Sequence, residues 1–498
     1  MSTMERRSLG EGLEIARILT GLWQIADLER DGTPVNVQAT AGAMGPYVDA
    51  GFTTFDMADH YGSAEDVAGR YRSSCADPAE VQLLTKWVPK PGSYTRENVR
   101  AAVETSLERL RSDAIDLLQF HAWRYCDPGW LDCLFWLEEL RDEGLIGHLG
   151  VTNFDAAHLA MALDSGIEIV SNQVCYSLID RRARGAMTTV CEKHGVQILA
   201  FGTVAGGLLT ERWLGKPDPG IEGLETWSEM KYARFVEAAG GWDAFQGLLA
   251  VVASVARKHG VSMANVACRH VLDQPAVAGV IIGARLGVSD RIEDNLRLFT
   301  FTLDDDDRAA LTAVQHALDP IPGGCGDEYR RAPFLTASGD LSHHFGAFPA
   351  PYDTVEGPAG RRRALSGTVW EDLAGFSRAV RVGDRIVVSG TTATHRDRLI
   401  GGDDPASQTH FVIDKIEGAI ESLGGSLADV VRTRAYVPRN GDWEAVCRAH
   451  GARFAGVRPA NTLVHAGLIG EGYRVEIEAE AIVAPGANGP VPPDGEML

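Results

Sequence analysis

The sequence predicts an α/β protein in which a (β/α)8 TIM barrel precedes a smaller α+β domain. Two observations lead to this fold class. Short β-rich runs alternate with helical segments eight times between about residues 14 and 300, which matches such a barrel in count and size. After residue 363 the order of predicted elements becomes ββαβαββ, which is typical of helices packed on one face of a mixed sheet.

The barrel strands are predicted from short apolar, β-rich runs. They are residues 16–22, 52–56, 81–87, 115–121, 146–151, 167–173, 196–201 and 277–282. Helical periodicity lies between them, for example in residues 96–111, 129–143 and 245–260. A doubly wound sheet is the competing arrangement. Eight evenly spaced units without a GxGxxG motif after the first strand favour the barrel.

The connection between Phe201 and Phe245 is unusually long and contains several glycines and prolines. Long connections in compact domains are usually functional or disordered. Because this one follows the seventh strand at the catalytic end, we expect it to cover a cofactor, with a plain insertion as the alternative.

Four polar residues follow three successive predicted strands: Asp56 and Tyr61 after the second, Lys86 after the third and His121 after the fourth. In a TIM barrel, such strand ends converge on one catalytic face. An ammonium lowers the pKa of a nearby phenol, a carboxylate holds the lysine, and a histidine can orient a substrate carbonyl. The four residues predict proton transfer coupled to hydride transfer, with the hydride supplied by a cofactor.

The composition argues against several classes of binding partner. The chain of 498 residues carries a formal net charge of -21, which argues against nucleic acid or an anionic membrane surface. Its eight cysteines lack a CxxC pair, so we expect reduced, mostly buried thiols in a cytoplasmic protein. No apolar run is long enough for a membrane span, and the first residues do not resemble a signal peptide. The adjacent His343 and His344 lack further ligands at a suitable spacing, so no metal is expected.

The C-terminal part begins with residues 331–362, whose proline and glycine content predicts a linker or barrel extension. A second domain is predicted for residues 363–485 and a flexible tail for residues 486–498. The predicted strands of the second domain are residues 379–382, 385–389, 430–437, 462–466 and 474–482, and its helices are residues 407–423 and 443–455.

Residues 1–330 resemble the aldo-keto reductases. The resemblance rests on residues 51–56 (GFTTFD) with Tyr61 and Gly62, on residues 147–154 (GHLGVTNF) and on residues 171–178 (SNQVCYSL). It implies a TIM barrel reductase that uses NADPH, with Tyr61 as the acid-base residue and with Asp56, Lys86 and His121 assisting it.

The resemblance also implies the contacts of the nicotinamide end. Thr152, Asn153 and Gln173 would hydrogen-bond the carboxamide, which suits their hydroxyl and amide chemistry. Phe201 would stack on the nicotinamide ring, although an aromatic at a strand end can also be an ordinary core residue. Trp23 is also expected to contact the cofactor.

The resemblance places the contacts with the adenosine end of the cofactor in the segment after the eighth strand. Arg285 and Arg291 would bind a 2′-phosphate, since guanidinium groups suit phosphate, and Asn295 would contact the adenine. Gly202 would belong to the pyrophosphate loop. Two features depart from the family: Gly202-Thr203 replaces the usual Ser-Pro, and the spacing from Arg285 to Asn295 is about two residues longer.

Residues 363–485 resemble the Rid (YjgF) family of enamine and imine deaminases, on residues 375–384, 388–390, 458–462 and 475–479. The resemblance implies a chorismate-mutase-like fold that assembles as a homotrimer, with sites between subunits formed here by Phe376, Ser389, Asn461 and Glu478. Active members have an arginine at the position of Asn461 and usually a tyrosine at that of Phe376. Only Glu478, which would activate water, matches, and it could equally be structural. We therefore expect weak deamination or none.

The leading hypothesis is an NADPH-dependent reductase of a small carbonyl compound, with the second domain for assembly or ligand binding. Two alternatives stay open. The substrate could be an imine or aminoaldehyde that both domains handle, or the protein could sense the redox state of the cofactor. Trp23, Trp87 and Trp123 follow the first, third and fourth strands and are expected to line the pocket, which favours an apolar or planar substrate.

Overall fold

The computed structural model describes residues 4–26, 33–92, 94–336 and 348–484. The chain forms a parallel barrel and a second unit built on a mixed sheet. His343, His344 and residues 486–498, for which the sequence analysis made predictions, lie outside the described residues.

Eight parallel strands close into the predicted TIM barrel, and each predicted strand overlaps an observed one. Their interior and exterior side chains are almost all buried, as expected for parallel strands covered by helices. The barrel strands are Ile18–Gly21, Thr54–Asp56, Gln82–Trp87, Ile115–His121, Ile146–Thr152, Ser171–Cys175, Gln197–Phe201 and Val277–Gly283.

The helices of the barrel follow its strands in turn. Several begin at a side chain that accepts a hydrogen bond from the first turn, as Thr95 does from the backbone N–H of Asn98. The helices are Val37–Gly42, Gly45–Asp49, Ala64–Arg72, Arg96–Leu110, Gly129–Asp142, Ala156–Asp164, Ala186–His194, Trp227–Ala238, Gly241–His259, Met263–Leu272, Ile292–Leu296 and Asp305–His316.

A membrane-spanning helix is not found in the described part of the chain. No single helix there is both long and apolar enough, and Trp227–Ala238 with Gly241–His259 meets these criteria only as a pair that is bent by 100°.

A hairpin that the sequence analysis did not predict closes the amino end of the barrel. Its strands are Arg6–Gly10 and Leu13–Ala16. Leu9, Leu13 and Ile15 are buried against apolar side chains of the barrel interior. The amino end is therefore filled by packed side chains, and the open cavity lies at the opposite, carboxyl end.

The second unit has a mixed sheet, as the predicted element order indicates, but with seven strands instead of the five predicted. Its strands run in the spatial order Asp353–Glu356, Arg361–Leu365, Ala379–Val382, Arg385–Thr392, Glu476–Ile482, Val430–Val437 and Ala460–His465, and only the last two are parallel. The first strand and the start of the second lie within residues 331–362, the predicted linker, so the sheet begins before residue 363. They pair as antiparallel strands at the edge of the sheet.

Two long helices, Pro405–Ser422 and Trp443–Phe454, cover one face of this sheet. Buried and exposed residues alternate along the central strands, so the other face is open to solvent. A short helix, Val369–Ala374, and a small hairpin, Thr394–His395 with Arg398–Leu399, complete the unit.

The helix Pro405–Ser422 also packs against the barrel helix Ala156–Asp164. Between them lies a buried group of charged residues, Asp155, His158, Asp414 and Arg453, which we call the interface cluster. His158 contacts Asp155 Oδ2 through Nδ1 at 2.7 Å and Asp414 Oδ2 through Nε2 at 3.0 Å. Arg453 donates to Asp414 from the other side. The two units are therefore joined by largely buried ion pairs.

The charges of the interface cluster are mutually stabilised. Burial alone would lower the pKa of His158, but the carboxylates of Asp155 and Asp414 outweigh it and raise that pKa. Burial would raise the pKa of Asp414, but Arg453 and His158 outweigh it and lower that pKa. The imidazolium and both carboxylates are thus the stable forms.

Candidate active site

A cavity of about 210 Å³ opens at the carboxyl ends of the barrel strands. It is lined by all four residues of the predicted proton-transfer group and by most of the predicted nicotinamide contacts. These lining residues are Trp23, Asp56, Tyr61, Lys86, His121, Thr152, Asn153, Gln173, Phe201 and Gly202. The long connection after the seventh strand contributes Trp227 and Lys231 on its helix to the same cavity.

A buried ion pair lies at the base of the cavity. Lys86 Nζ donates to Asp56 Oδ2 at 2.7 Å and to the carbonyl oxygen of Met57 at 2.7 Å. The ammonium lies 5.3 Å from the ring centre of Tyr61. The carboxylate therefore fixes a positive charge beside the phenol, as the sequence analysis predicted from strand order.

Two glutamines complete the surroundings of Asp56. Gln173 Nε2 donates to Asp56 Oδ1 at 2.7 Å and to Gln119 Oε1 at 2.8 Å, and Gln119 Nε2 lies 3.2 Å from the same carboxylate oxygen. The sequence analysis did not single out Gln119. The available signal was a polar residue two positions before His121, which in a strand points to the same side as His121.

His121 is neutral, and the side chain of Asn153 lies beside its Nδ1. Burial lowers the pKa of His121 well below its ordinary value, and the guanidinium of Arg330 acts in the same direction. Asn153 Nδ2 lies 3.4 Å from His121 Nδ1, so Nδ1 accepts and the proton lies on Nε2. Within the described part of the chain, Nε2 is buried without a hydrogen-bond partner. It can donate to an oxygen placed in the cavity.

Arg330 positions two strand ends of the site. Its Nε and Nη2 donate to the carbonyl oxygen of Ala122 at 2.9 and 2.6 Å, and its Nη1 donates to that of Asn153 at 2.7 Å. Asn153 has a left-handed backbone with φ of 60°. The guanidinium therefore fastens the residues next to His121 and Thr152, a role that the sequence analysis missed.

Of the three tryptophans that were predicted to line the pocket, two do so. Trp23 and Trp123 line the cavity, and Trp23 packs edge-on against Tyr61 at 5.0 Å between ring centres. Trp87 does not line it, which corrects the prediction for this residue. Successive side chains of a strand point to opposite sides, and because Lys86 points into the barrel, Trp87 points outward, where it packs on Phe120.

Comparison with known families decides the identity of the barrel. The family model described as "Aldo/keto reductase family" matches residues 17–316, more than half of the chain. This chain belongs to the aldo/keto reductase family. The barrel is accordingly an oxidoreductase domain, of a family that uses nicotinamide cofactors.

Relatives agree with this assignment. Protein tas of Escherichia coli is 30% identical over 241 residues, which span 44% of this chain and 67% of that protein. The solved structure of a glycerol dehydrogenase from Gluconobacter oxydans is 22% identical, covers 65% of this chain and 97% of its own, and has a TM-score of 0.51, which supports the fold.

The second unit has its own family. The model described as "Endoribonuclease L-PSP" matches residues 370–483. A solved member of the YjgF/YER057c/UK114 family from Mycobacterium tuberculosis is 43% identical, covers 25% of this chain and 99% of its own, with a TM-score of 0.23. The chain is thus an aldo/keto reductase followed by a YjgF-family domain.

The cavity of this aldo/keto reductase fits the carboxamide end of a nicotinamide. Asn153 Oδ1 is buried without a hydrogen-bond partner among the described residues, which suits an amide N–H. Phe201 is half-buried at the end of its strand and faces the cavity. Gly202 has φ of 71°, and a Cβ there would lie 2.3 Å from Tyr232 Oη on the helix Trp227–Ala238. A glycine at this position therefore lets the loop pass close to that helix.

The predicted residues of the adenosine end lie in different surroundings. Arg285 lines a second cavity, and Gln24 lines both cavities, so the two are neighbours. Arg291 is exposed just before the helix Ile292–Leu296, and Asn295 is half-buried on that helix. Neither Arg291 nor Asn295 lines these two cavities.

The predicted Rid-like residues are not gathered into one site within a single chain. Asn461 donates to Thr433 Oγ1 at 2.9 Å on the face that the helices cover. Glu478 accepts from Arg434 at 2.6 Å, on the open face of the sheet. Ser389 donates to the carbonyl oxygen of Ser377 at 2.8 Å. Phe376 is half-buried, and its ring centre lies 5.7 Å from the guanidinium of Arg378.

Proposed function

We propose that this protein reduces an aldehyde or ketone to an alcohol with NADPH, and that Tyr61 supplies the proton. The observation that carries the proposal is the convergence of the neutral His121, the phenol of Tyr61 and the Asp56–Lys86 pair on one cavity. The cofactor would supply the hydride. The remaining chemistry is proton transfer and charge stabilisation, which these side chains perform.

His121 orients the substrate. Its Nε2–H donates to the carbonyl oxygen, which fixes the oxygen and polarises the bond. A neutral imidazole suits this role, because it donates a hydrogen bond without giving up its proton. Asn153 and Arg330 keep the ring and the strand end in place.

Tyr61 completes the reaction. As negative charge develops on the substrate oxygen, the phenol donates its proton to it, and the ammonium of Lys86 stabilises the phenolate that results. Asp56 holds that ammonium at 2.7 Å. In the reverse direction the phenolate accepts the proton of an alcohol.

A substrate screen tests the proposed function. The full chain is incubated with NADPH and a panel of aldehydes, ketones, aminoaldehydes and cyclic imines, and cofactor oxidation is followed at 340 nm. We expect turnover with carbonyl compounds. Turnover with cyclic imines alone would favour the imine alternative, and cofactor binding without turnover of any compound would favour a redox-sensing role.

Arg285 is proposed to select NADPH over NADH. A charged hydrogen bond to a 2′-phosphate is worth about ten- to a hundred-fold in affinity, so Arg285→Ala should raise the Kd for NADPH by that factor and leave the Kd for NADH nearly unchanged. Fluorescence titration with both cofactors measures this. Arg291→Ala serves as the parallel variant for the second predicted guanidinium. Equal affinities of the wild-type protein for the two cofactors would contradict the proposal.

The YjgF-family domain is proposed to assemble the cytoplasmic protein as a homotrimer. The open face of its sheet supports this, because it exposes large apolar side chains beside charged ones. Val387, Val431, Val464 and Ile482 are between 39% and 49% exposed there in the single chain. A second copy of this face would remove such side chains from water.

Light scattering after size exclusion tests the assembly. The full chain has a mass of 53.6 kDa, and light scattering should give three times that mass for the eluted protein. Val387→Asp places a charge on the open face and should shift the protein to monomers, whereas Ile221→Asp, at an exposed apolar residue of the barrel, should not. A monomeric wild-type protein would contradict the proposal.

A further inference from the structure

The loop of residues 122–128 joins the fourth barrel strand, which ends at His121, to the helix Gly129–Asp142. Its Trp123 lines the catalytic cavity and packs edge-on against His121, with 4.4 Å between the ring centres. Trp123 Nε1 also donates to the carbonyl oxygen of Pro89 at 2.7 Å. The position of this loop therefore determines how Trp123 packs on the ring that orients the substrate.

The helix Pro405–Ser422 of the YjgF-family domain contacts this loop directly. Glu421 Oε2 accepts a hydrogen bond from Arg124 Nη2 and another from Cys126 Sγ, the latter at 3.3 Å. About one helical turn earlier, Gly418 lies against the loop backbone, and a Cβ there would be 2.3 Å from the carbonyl oxygen of Cys126. The glycine therefore lets the helix approach the loop closely.

The same helix also reaches the loop through the interface cluster. Asp414 contacts His158, whose ring stacks on that of Tyr125 with 3.5 Å between their centres. The guanidinium of Arg330 lies 4.5 Å from the ring centre of Tyr125 and donates to the carbonyl oxygen of Ala122. A continuous series of contacts thus runs from the second unit to the first residue of the loop.

The residues of the helix that make these contacts lie on one of its faces. Asp414, Gly418 and Glu421 are spaced by four and three positions, which places them on the same side of an α-helix. The side chains of Arg124 and Glu421 are only 17% and 18% exposed, so salt screens their attraction less than that of a surface pair. The face thus holds the loop by an ion pair, a close backbone contact and a stacked pair of rings.

We propose that the YjgF-family domain positions the substrate-orienting side of the barrel site, with Glu421 and Arg124 as positioning residues for carbonyl reduction. His121 must place its Nε2–H at the substrate oxygen, and a displacement of about 1 Å in such a site can cost about 10²-fold in rate. Without the ion pair the loop is held less firmly, so the packing of Trp123 on His121 loses its fixed geometry. This inference rests on the proposed carbonyl reduction at the same site.

Two glutamates on the helix form a matched pair for the test. The side chains of Glu421 and Glu417 are 18% and 19% exposed, and each pairs with an arginine, but the partner of Glu417 is Arg453 of its own domain. With the full chain, NADPH and a compound from the carbonyl panel, Glu421→Ala should lower kcat/KM about ten- to a hundred-fold. Glu417→Ala should stay near the wild-type value, and the Kd for NADPH should be nearly unchanged in both variants.

Two further results separate a positioning role from a general loss of stability. Glu421→Gln keeps an oxygen that can accept from Arg124 and should recover part of the lost kcat/KM. Arg124→Met combined with Glu421→Ala should lose no more than the stronger single variant, because both changes break the same contact. Losses that simply multiply in the double variant would contradict a shared role of the pair.

Hydrogen exchange followed by mass spectrometry tests the support of the loop independently of turnover. Gly418→Ala places a Cβ against the loop and should speed exchange in residues 122–128. Gly451→Ala on the helix Trp443–Phe454 is the control, since a Cβ there meets nothing within 4 Å. If the wild type reduces no carbonyl but exchange differs in this way, the proposed reaction is wrong and the support of the loop stands. Equal kcat/KM values for Glu421→Ala and Glu417→Ala in an active protein would overturn the inference, as would unchanged exchange in Gly418→Ala.

Discussion

Replacing Tyr61 by phenylalanine is expected to lower kcat for carbonyl reduction by about 10²- to 10⁴-fold, the usual contribution of general acid catalysis. Phenylalanine keeps the ring that packs against Trp23 but has no proton to donate. The developing charge on the substrate oxygen would then meet only the hydrogen bond from His121. Steady-state kinetics with a compound from the carbonyl panel measures the effect.

The Tyr61 variant should keep its affinity for NADPH, which fluorescence titration can verify. Tyr436→Phe is the matched control, since it removes the same hydroxyl from the YjgF-family domain, where Tyr436 contacts Glu478 at 3.2 Å. That control should reduce carbonyls at the wild-type rate. Near wild-type turnover by Tyr61→Phe would show that another group donates the proton.

Replacing His158 by alanine is expected to lower the free energy of unfolding by about 3–5 kcal/mol, the usual effect of breaking a buried ion pair. The change leaves Asp155 and Asp414 buried without the imidazolium between them. It also removes the ring that stacks on Tyr125 at 3.5 Å. Urea denaturation of the full chain measures the difference. The exposed ion pair between Glu444 and Arg448 on the helix Trp443–Phe454 offers a control. Glu444→Gln removes the partner of Arg448 and should lower the free energy of unfolding by about 0.5 kcal/mol or less.

The contribution of His158 should depend on pH in a defined direction. Its pKa is raised in the folded protein, so protons favour folding. The stabilisation is fully present below the unfolded value of about 6.5 and is lost as pH rises through the raised folded pKa. The stability difference between the wild type and His158→Ala should therefore shrink toward alkaline pH. A difference that grows with pH would contradict a charged imidazolium in the interface cluster.

The barrel and its proton-transfer group were predictable because short, local sequence patterns specify them. Each strand is a short apolar run, and parallel strands in a closed barrel must bring their carboxyl ends together. Asp56, Lys86 and His121 could thus be placed on one face without knowing any distance. The same alternation that directs Lys86 inward directs Trp87 outward, so the error at Trp87 was avoidable from the strand period alone.

Other features depend on partners distant in the chain. The strand Arg361–Leu365 begins with three arginines, which lack the apolar alternation of a half-buried strand, so the predicted linker extended to residue 362. The hairpin Arg6–Gly10 with Leu13–Ala16 is short and charged on its outer side. Arg330 acquires its role only when the fold brings it to Ala122 and Asn153, which lie far from it in the sequence. His158 likewise meets Asp414 across 256 positions.

Transfer of deuterium from NADPH to a carbonyl compound tests the central claim most directly. The full chain is incubated with NADPH carrying deuterium at the nicotinamide C4 position on either face, together with the carbonyl panel, and the products are analysed by mass spectrometry. We predict an alcohol with one deuterium on the former carbonyl carbon from one of the two labelled cofactors, and a greatly reduced yield with Tyr61→Phe. Oxidation of NADPH that yields no labelled alcohol from either cofactor would contradict the account.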